Sequence, residues 1–362
     1  HRSGSLLESV PANVAVTEVP FSADGRYEWE HGSKKYLVAL LVSFRWLCAL
    51  RVVFSRGVFL KYCVPKGRRK DRWFMDLLVP DAAKDWPAYD VAIAFGDTPE
   101  IVALVADRVQ AERKIAWIHN DHPLSIFDRV AFAGVYKAYD RIGACSAELA
   151  RSLSTLFAPC GLEVVHFSHI IEREAYELLA REAQPIEPTE GAITIVSVGR
   201  ICGQKGFDIA INVCARLLAE GIALQWYVVG DGVDLAALKE EVLERGLNES
   251  FHFVGLQTNP YPYIKACDIY VQPSRYEGYC LTLAEARVLC KPIVTTDFIG
   301  AREQIVDGET GLVVKCEVEP LVEAVRRLAS DENLRVHFAS NLIKESGSND
   351  AKAVLLDLLL ET

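Results

Sequence analysis

Four charged residues in the second half of the chain stand where short apolar runs give way to loops. Arg200 and Lys205 lie in "VGRICGQKGFD", and Glu277 and Glu285 bracket seven residues in "SRYEGYCLTLAE" (274–285). Two fixed cations beside the start of a helix make an anion site, for which a diphosphate is the natural occupant. Gly199, Gly203 and Gly206 let that loop turn tightly. The spacing is neither G-x-G-x-x-G nor the phosphate-loop pattern, so a dinucleotide redox site and a Walker-type ATPase are poorly supported. In the second loop the backbone N–H groups from Gly278 through Tyr279 and Cys280 to Leu281 could face a phosphate or sugar oxygen, with Glu277 reaching hydroxyls. A plainer reading competes, because Thr282-Leu283-Ala284-Glu285 fits the Ser/Thr-x-x-Glu capping box. Capping accounts for Glu285 and leaves Glu277 without a task.

These loops need a scaffold that brings them together. Six runs rich in β-branched and aromatic residues read as strands: 193–199, 224–230, 251–255, 268–274, 292–296 and 310–314. Segments such as "GFDIAINVCARLLAEG" between them are apolar at three- and four-residue intervals and read as helices. Such alternation predicts a parallel sheet covered on both faces. The first half repeats the theme less cleanly, with strands expected at 14–21, 91–95, 114–119, 141–146 and 163–168. The Pro-rich, acidic stretch "AREAQPIEPTEGA" (180–192) reads as a linker. The expected division is therefore residues 1–179, a linker, a second domain over 193–345, and a helical tail over 346–362. Two doubly wound, Rossmann-like domains would face a central cleft, with ligands outside the carboxyl ends of the strands.

Composition narrows the classes. The chain has 362 residues and a net charge of −10, against the basic footprint of a general nucleic-acid binder. Ten cysteines are scattered with no Cys-x-x-Cys pair, so neither zinc nor a disulfide framework is indicated. Reduced thiols in the cytosol fit this pattern. The longest apolar run, "YLVALLVSF" at 36–44, is too short to span a bilayer. Between Arg45 and Arg72 there are nine Lys or Arg residues and one acid, with Trp46, Phe54, Phe59, Tyr62 and, just beyond, Trp73. That mixture over residues 45–73 suits contact with an anionic membrane surface.

At this point the residues carry a family resemblance. "GRICGQKGFD", "VGDG", "NPYPYIKACDIYVQPSRYEGYCLTLAEA" and "KPIVTTDFIGAREQIVDGETGLVV" together resemble the donor domain of retaining glycosyltransferases of family four, which have the two-domain GT-B fold. The resemblance covers about residues 190–330. The first half is similar to the acceptor domain more loosely, through "YDVAIAF" and "KIAWIHNDHP". It implies that Arg200 and Lys205 neutralise the departing nucleotide diphosphate where other glycosyltransferases use a metal ion. Glu277 would bind the donor sugar, Glu285 the ribose hydroxyls, and Gly255, Leu256 and the residues to 259 the base. His119 would sit near the transferred sugar. Neither a cofactor nor a metal is expected. The donor implied is a nucleotide-sugar, with uridine diphosphate (UDP) the favoured carrier, and the acceptor a glycan or a lipid-linked sugar. Transfer would proceed by front-face displacement with retention.

Two departures qualify this. The family opens with a strand and a Gly-rich loop, whereas this chain starts near the end of the first helix with "LLESV", so a fragment is expected. Ser168, in "VVHFSHIIERE", stands where the family has Asn. The alternatives are another GT-B enzyme, such as a phosphorylase or an epimerase, and a non-catalytic sugar-nucleotide binder or membrane-docked assembly subunit.

Overall fold

The computed structural model describes residues 87–95, 99–119, 135–158, 161–167, 169, 171–182, 185–187 and 189–345. The expected strand at 14–21, the basic segment 45–73, Ser168 and the tail 346–362 lie outside the described residues. The described residues fall into two compact units. Residues 87–92, 99–114 and 135–138 make the first, and 93–95, 115–119 and the stretch from 139 onward make the second. Among the described residues no helix is long and apolar enough to cross a membrane.

Two sheets are present. The smaller has the order β1-β2-β3-β4, formed by β1 (Tyr89–Phe95), β2 (Ala111–Ile118), β3 (Arg141–Ala144) and β4 (Glu163–His166). The β2–β3 and β3–β4 pairs are parallel. Helix α1 (Pro99–Asp107) follows β1, and α2 (Ala147–Phe157) follows β3. Ser146 caps α2, its hydroxyl accepting from the Leu149 amide at 3.2 Å.

The larger sheet is formed by β5 (Ile193–Val198), β6 (Leu224–Val229), β7 (Phe251–Gly255), β8 (Ile269–Gln272), β9 (Ile293–Thr296) and β10 (Leu312–Val314). Every pair is parallel, in the order β10-β9-β8-β5-β6-β7. All six strands expected from the sequence are found. Strand β8 is shorter than expected because Pro273, with no N–H to give the ladder, ends it. From β5 the chain winds one way to β6 and β7, then returns to β8 and winds the other way. The order therefore reverses between β5 and β8. In an open parallel sheet, ligands bind outside the strand carboxyl ends at that reversal.

Both faces are covered, which is why the strands read as near-continuous apolar runs. Helices α3 (Arg173–Leu179), α4 (Phe207–Ala219), α5 (Leu235–Glu244), α6 (Tyr261–Ala266), α7 (Leu281–Val288), α8 (Ala301–Gln304), α9 (Val318–Ser330) and α10 (Glu332–Lys344) complete the described elements. One face packs Ile195, Trp226, Val228 and Val271 against Ile211 and Leu217 of α4 and Val325 and Leu328 of α9. The opposite face sets Val196, Val198 and Tyr270 against Ile264 of α6 and Leu283 and Ala286 of α7. Adjacent residues of β5 thus serve opposite cores, as the pleat requires. The polar groups inside this core are matched: the buried Trp226 indole donates to the Ser197 hydroxyl at 3.0 Å, which donates to the Val271 carbonyl at 2.6 Å.

One glycine fixes how closely the two loops at the reversal approach. Gly206 has φ 67°, and a Cβ there would lie 2.1 Å from the Pro273 carbonyl oxygen. Only glycine takes that conformation without a steric penalty and leaves room for the loop after β8.

Candidate nucleotide-sugar site

The loop after β5 carries Gly199 and Arg200, then a 3₁₀ turn (Gly203–Lys205) that Gly206 closes in the left-handed conformation. The Gly199 amide donates to the Val229 carbonyl at 3.0 Å, and the Ile201 amide to Asp231 at 2.8 Å, so β6 holds the loop from one side. From the other side the Arg275 amide donates to the Gln204 carbonyl at 2.8 Å. The Arg275 guanidinium also grips the Asp208 carboxylate through two bonds of 2.8 and 2.6 Å, holding that carboxyl below the usual carboxylate range. The loops after β5 and β8 are one braced unit.

Lys205 and Glu277 meet inside it. The Lys205 ammonium donates to Glu277 Oε1 at 2.6 Å, and both side chains are largely buried, 14% and 7% exposed. Glu277 also accepts from the Ser274 hydroxyl at 2.8 Å and from the Gln204 amide at 3.4 Å. Burial opposes the Lys205 charge, but the neighbouring Cys280 and Glu277 outweigh it and hold the ammonium above the ordinary lysine range. Arg200 is different: it is exposed and, among the described residues, has no ion-pair or hydrogen-bond partner. A surface guanidinium without a partner can meet an incoming anion at little desolvation cost.

Glu285 does not cap its own helix. The cap position of α7 is Cys280, at φ 69°, and its side chain makes no capping bond. Thr282 lies in the first turn and donates instead to Gln272 Oε1 at 3.1 Å. The capping-box expectation is overturned, because the helix starts too early for Thr282 to be its cap. The Glu285 carboxyl accepts from the Tyr261 hydroxyl at 3.2 Å. Burial pushes it up to about 7, against the opposing pull of Tyr261 and of the Lys205 charge. Lys205 thus acts on both glutamates, pairing with Glu277 and opposing the burial that raises Glu285.

Between the glutamates, Gly278 and Cys280 are buried and Tyr279 is half-buried, with Leu281 45% exposed. Among the described residues the amides of Gly278, Tyr279 and Cys280 donate to no protein acceptor. Three N–H groups beside the start of α7 suit an anion. Gly255 ends β7 at φ 79°, and Leu256 beyond it is 66% exposed. β7 is an edge strand two strands away from β5, whereas the braced loops follow the central strands β5 and β8.

His119 follows β2. Its ring packs edge-on against Phe95 at 4.5 Å and stacks on His169 at 6.2 Å; the His169 ring in turn lies 4.9 Å from that of Tyr279. His169 is thus the link between His119 and the loop after β8. Burial, with the His119 and His166 charges, lowers His169 to about 4, so it is a neutral imidazole at physiological pH. Sequence reading singled out His119 and missed His169, Tyr261, Gln204 and Gln272. A tyrosine in "NPYPYIKA" and a glutamine inside "IYVQ" carry no motif of their own.

A parallel sheet wound both ways, with a braced cationic loop at its reversal, paired with a second parallel sheet, is the GT-B arrangement. Residues 180–345 match the family model for Glycosyl transferases group 1, and that stretch is a domain of this family. The chain is 32% identical over 150 residues to an alpha-D-kanosaminyltransferase of Streptomyces kanamyceticus, covering 41% of this chain and 39% of that protein. It is 30% identical over 171 residues to a Campylobacter jejuni N-acetylgalactosamine-N,N'-diacetylbacillosaminyl-diphospho-undecaprenol 4-alpha-N-acetylgalactosaminyltransferase, covering 46% and 45%. Among solved structures, Anabaena HepE in complex with UDP superposes with a TM-score of 0.56 at 17% identity, covering 74% of each chain. The chain spans less than half the length of these two curated relatives.

Proposed function

We propose that this chain transfers a sugar from a nucleotide-sugar, with UDP the favoured carrier, to a glycan or lipid-linked acceptor with retention of configuration. The observation that carries the reading is Lys205, which at the sheet reversal is paired with Glu277 at 2.6 Å and acts electrostatically on Glu285. The diphosphate would lie against Arg200, Lys205 and the Gly278–Cys280 amides, which develop their strongest interaction as negative charge builds on the leaving oxygen. Glu277, paired with Lys205, accepts from sugar hydroxyls. Glu285 accepts from the ribose, and Gly255 and Leu256 flank the base. His119, with neutral His169 behind it, faces the sugar. No metal or other cofactor enters this scheme, because the two cations take the departing charge. The curated Campylobacter relative, named for a diphospho-undecaprenol substrate, and the UDP-bound neighbour support the choice of acceptor and carrier.

A thermal-shift panel of nucleotide-sugars tests the donor. A ligand at 100 times its dissociation constant adds about 2.7 kcal/mol, a rise of several degrees for a domain of this size. One nucleotide-sugar should raise the melting temperature more than its free nucleotide does. A flat response across the panel would remove the reading.

The working location is part of the proposal. Residues 45–73 concentrate positive charge and aromatics in an acidic chain, and a lipid-linked acceptor would be presented at the cytoplasmic leaflet. Each Lys or Arg near an anionic surface is worth about 1 kcal/mol, and salt screens the attraction. Binding to phosphatidylserine vesicles should fall steeply as salt rises, and replacing Lys66, Arg68, Arg69 and Lys70 with Gln should abolish it. Equal binding to neutral and anionic vesicles would assign the basic run to an ordinary solvated surface.

A further inference from the structure

Beneath the two glutamates lies a fully buried amide that the sequence gives no reason to expect. Gln272 is the last residue of β8 and has no exposed surface. Its Oε1 accepts from the Tyr270 hydroxyl at 2.7 Å and from the Thr282 hydroxyl at 3.1 Å. Its Nε2 donates to Ser274 Oγ at 2.8 Å, and Ser274 donates to Glu277 Oε1 at 2.8 Å.

The orientation of this chain follows from proton counting. Ser274 has one proton, and the Glu277 carboxylate can only accept. If the Gln272 carbonyl faced Ser274, one hydroxyl would have to serve two acceptors. With the amide facing Ser274, its oxygen accepts and its proton is committed to Glu277. The Gln272 carbonyl then faces Tyr270 and Thr282, two hydroxyls that can both donate. Each acceptor in the chain finds a donor in this arrangement alone. An amide with no exposed surface is costly when unmatched, so these three side-chain bonds hold Gln272 in one orientation.

We infer that Gln272 is a positioning residue that fixes both glutamates at once: Glu277 through Ser274, and the first turn of the helix carrying Glu285 through Thr282. The inference rests on the donor-site reading for its functional meaning. It also answers why two carboxylates are held across a loop-to-helix junction. One amide at the strand end is the common support for the loop and the helix, so their separation is set by the sheet rather than by the loop.

The experiment has a readout that does not need activity. No hydrogen bond joins Gln272 to Glu277 directly, so a coupling between them must run through Ser274. Urea midpoints are measured for Gln272→Met, Glu277→Gln and the double variant, with and without Ser274→Ala. The proposal expects the two substitutions to be non-additive with Ser274 present and additive in the Ser274→Ala background. Additivity in both backgrounds overturns it. Should Gln272→Met not fold, Thr282→Val, which removes one donor to the same carbonyl, replaces it in the cycle. In the turnover assay, Gln272→Met should lower kcat about tenfold through Glu277 and weaken UDP binding by a smaller factor through Glu285, and its effect on kcat should vanish in the Ser274→Ala background. A fall in UDP affinity equal to the fall in turnover would instead mean general loosening of the site, and would overturn the claim. If the wild-type chain turns over no donor, the glycosyl-transfer reading fails, and the stability cycle alone decides the positioning role.

Discussion

Lys205→Ala is expected to lower sugar transfer by about 100- to 1000-fold and to weaken the fold at the same time. The catalytic loss is that of one preorganised charge at a developing oxyanion. The stability loss has a separate origin. Lys205 and Glu277 form a largely buried pair 2.6 Å apart, and deleting one member strands the other. That costs about 3 kcal/mol or more, although the replacement of a whole pair by apolar groups can be neutral. Arg200→Ala should separate the two effects. Its guanidinium is exposed and without a partner among the described residues, so stability should stay within about 0.5 kcal/mol while transfer falls. Urea melts run beside steady-state kinetics check both. The sequence presents the two as one pair of fixed cations, and the structure separates them, because Lys205 has a buried partner and Arg200 is exposed.

The second expected result is a pH dependence of donor affinity centred near neutrality. Glu285 in the unliganded protein keeps its proton up to about 7, whereas an unfolded glutamate releases it near 4.5. Between those values the folded state binds more protons than the unfolded one, so this group's contribution to stability declines as pH rises from 4.5 to 7. Ribose hydroxyls donate best to the ionised form, so donor binding drives the proton off. Affinity for a nucleotide-sugar should therefore rise about tenfold from pH 6 to pH 8. The groups acting on Glu285 are Tyr261 and Lys205, both held above their ordinary values, so neither titrates in this window. His169, at about 4, is also silent there. A nucleotide-sugar is the right probe, because its diphosphate diester has no proton to lose near pH 7. Glu285→Gln should flatten the profile at the low-affinity level and melt higher than the wild type at pH 8. Calorimetric titration across the range checks this, and a flat wild-type profile would remove Glu285 from the ribose.

The larger sheet was legible in the sequence almost strand by strand. Its strands are apolar on both faces, and each run is bounded by Gly, Pro or Asp. The ligand loops were legible for a related reason. A cation or a carboxylate directly after a buried strand has no packing role to explain it, so Arg200, Lys205 and Glu277 stand out. What stayed hidden is what those residues touch. "Thr282-x-x-Glu285" satisfies a local rule for helix starts, yet the helix begins at Leu281 because Cys280 takes a left-handed turn. Tyr261 reaches Glu285 across 24 residues of sequence and Ser274 reaches Glu277 across three. Gln272 looks like a flaw in a core strand until its three side-chain partners are in place. Periodicity reports which face a residue takes; it carries nothing about which hydroxyl waits there.

The measurement closest to the central claim follows the donor itself. The nucleotide-sugar selected by thermal shift is incubated with the chain, and its anomeric proton is followed by NMR with water as the slow acceptor. The account predicts release of the nucleoside diphosphate and a sugar that first appears in the same anomeric configuration as the donor. It predicts further that Lys205→Ala abolishes this release. Inversion at the anomeric carbon, or tight donor binding with no release of the diphosphate, would contradict it.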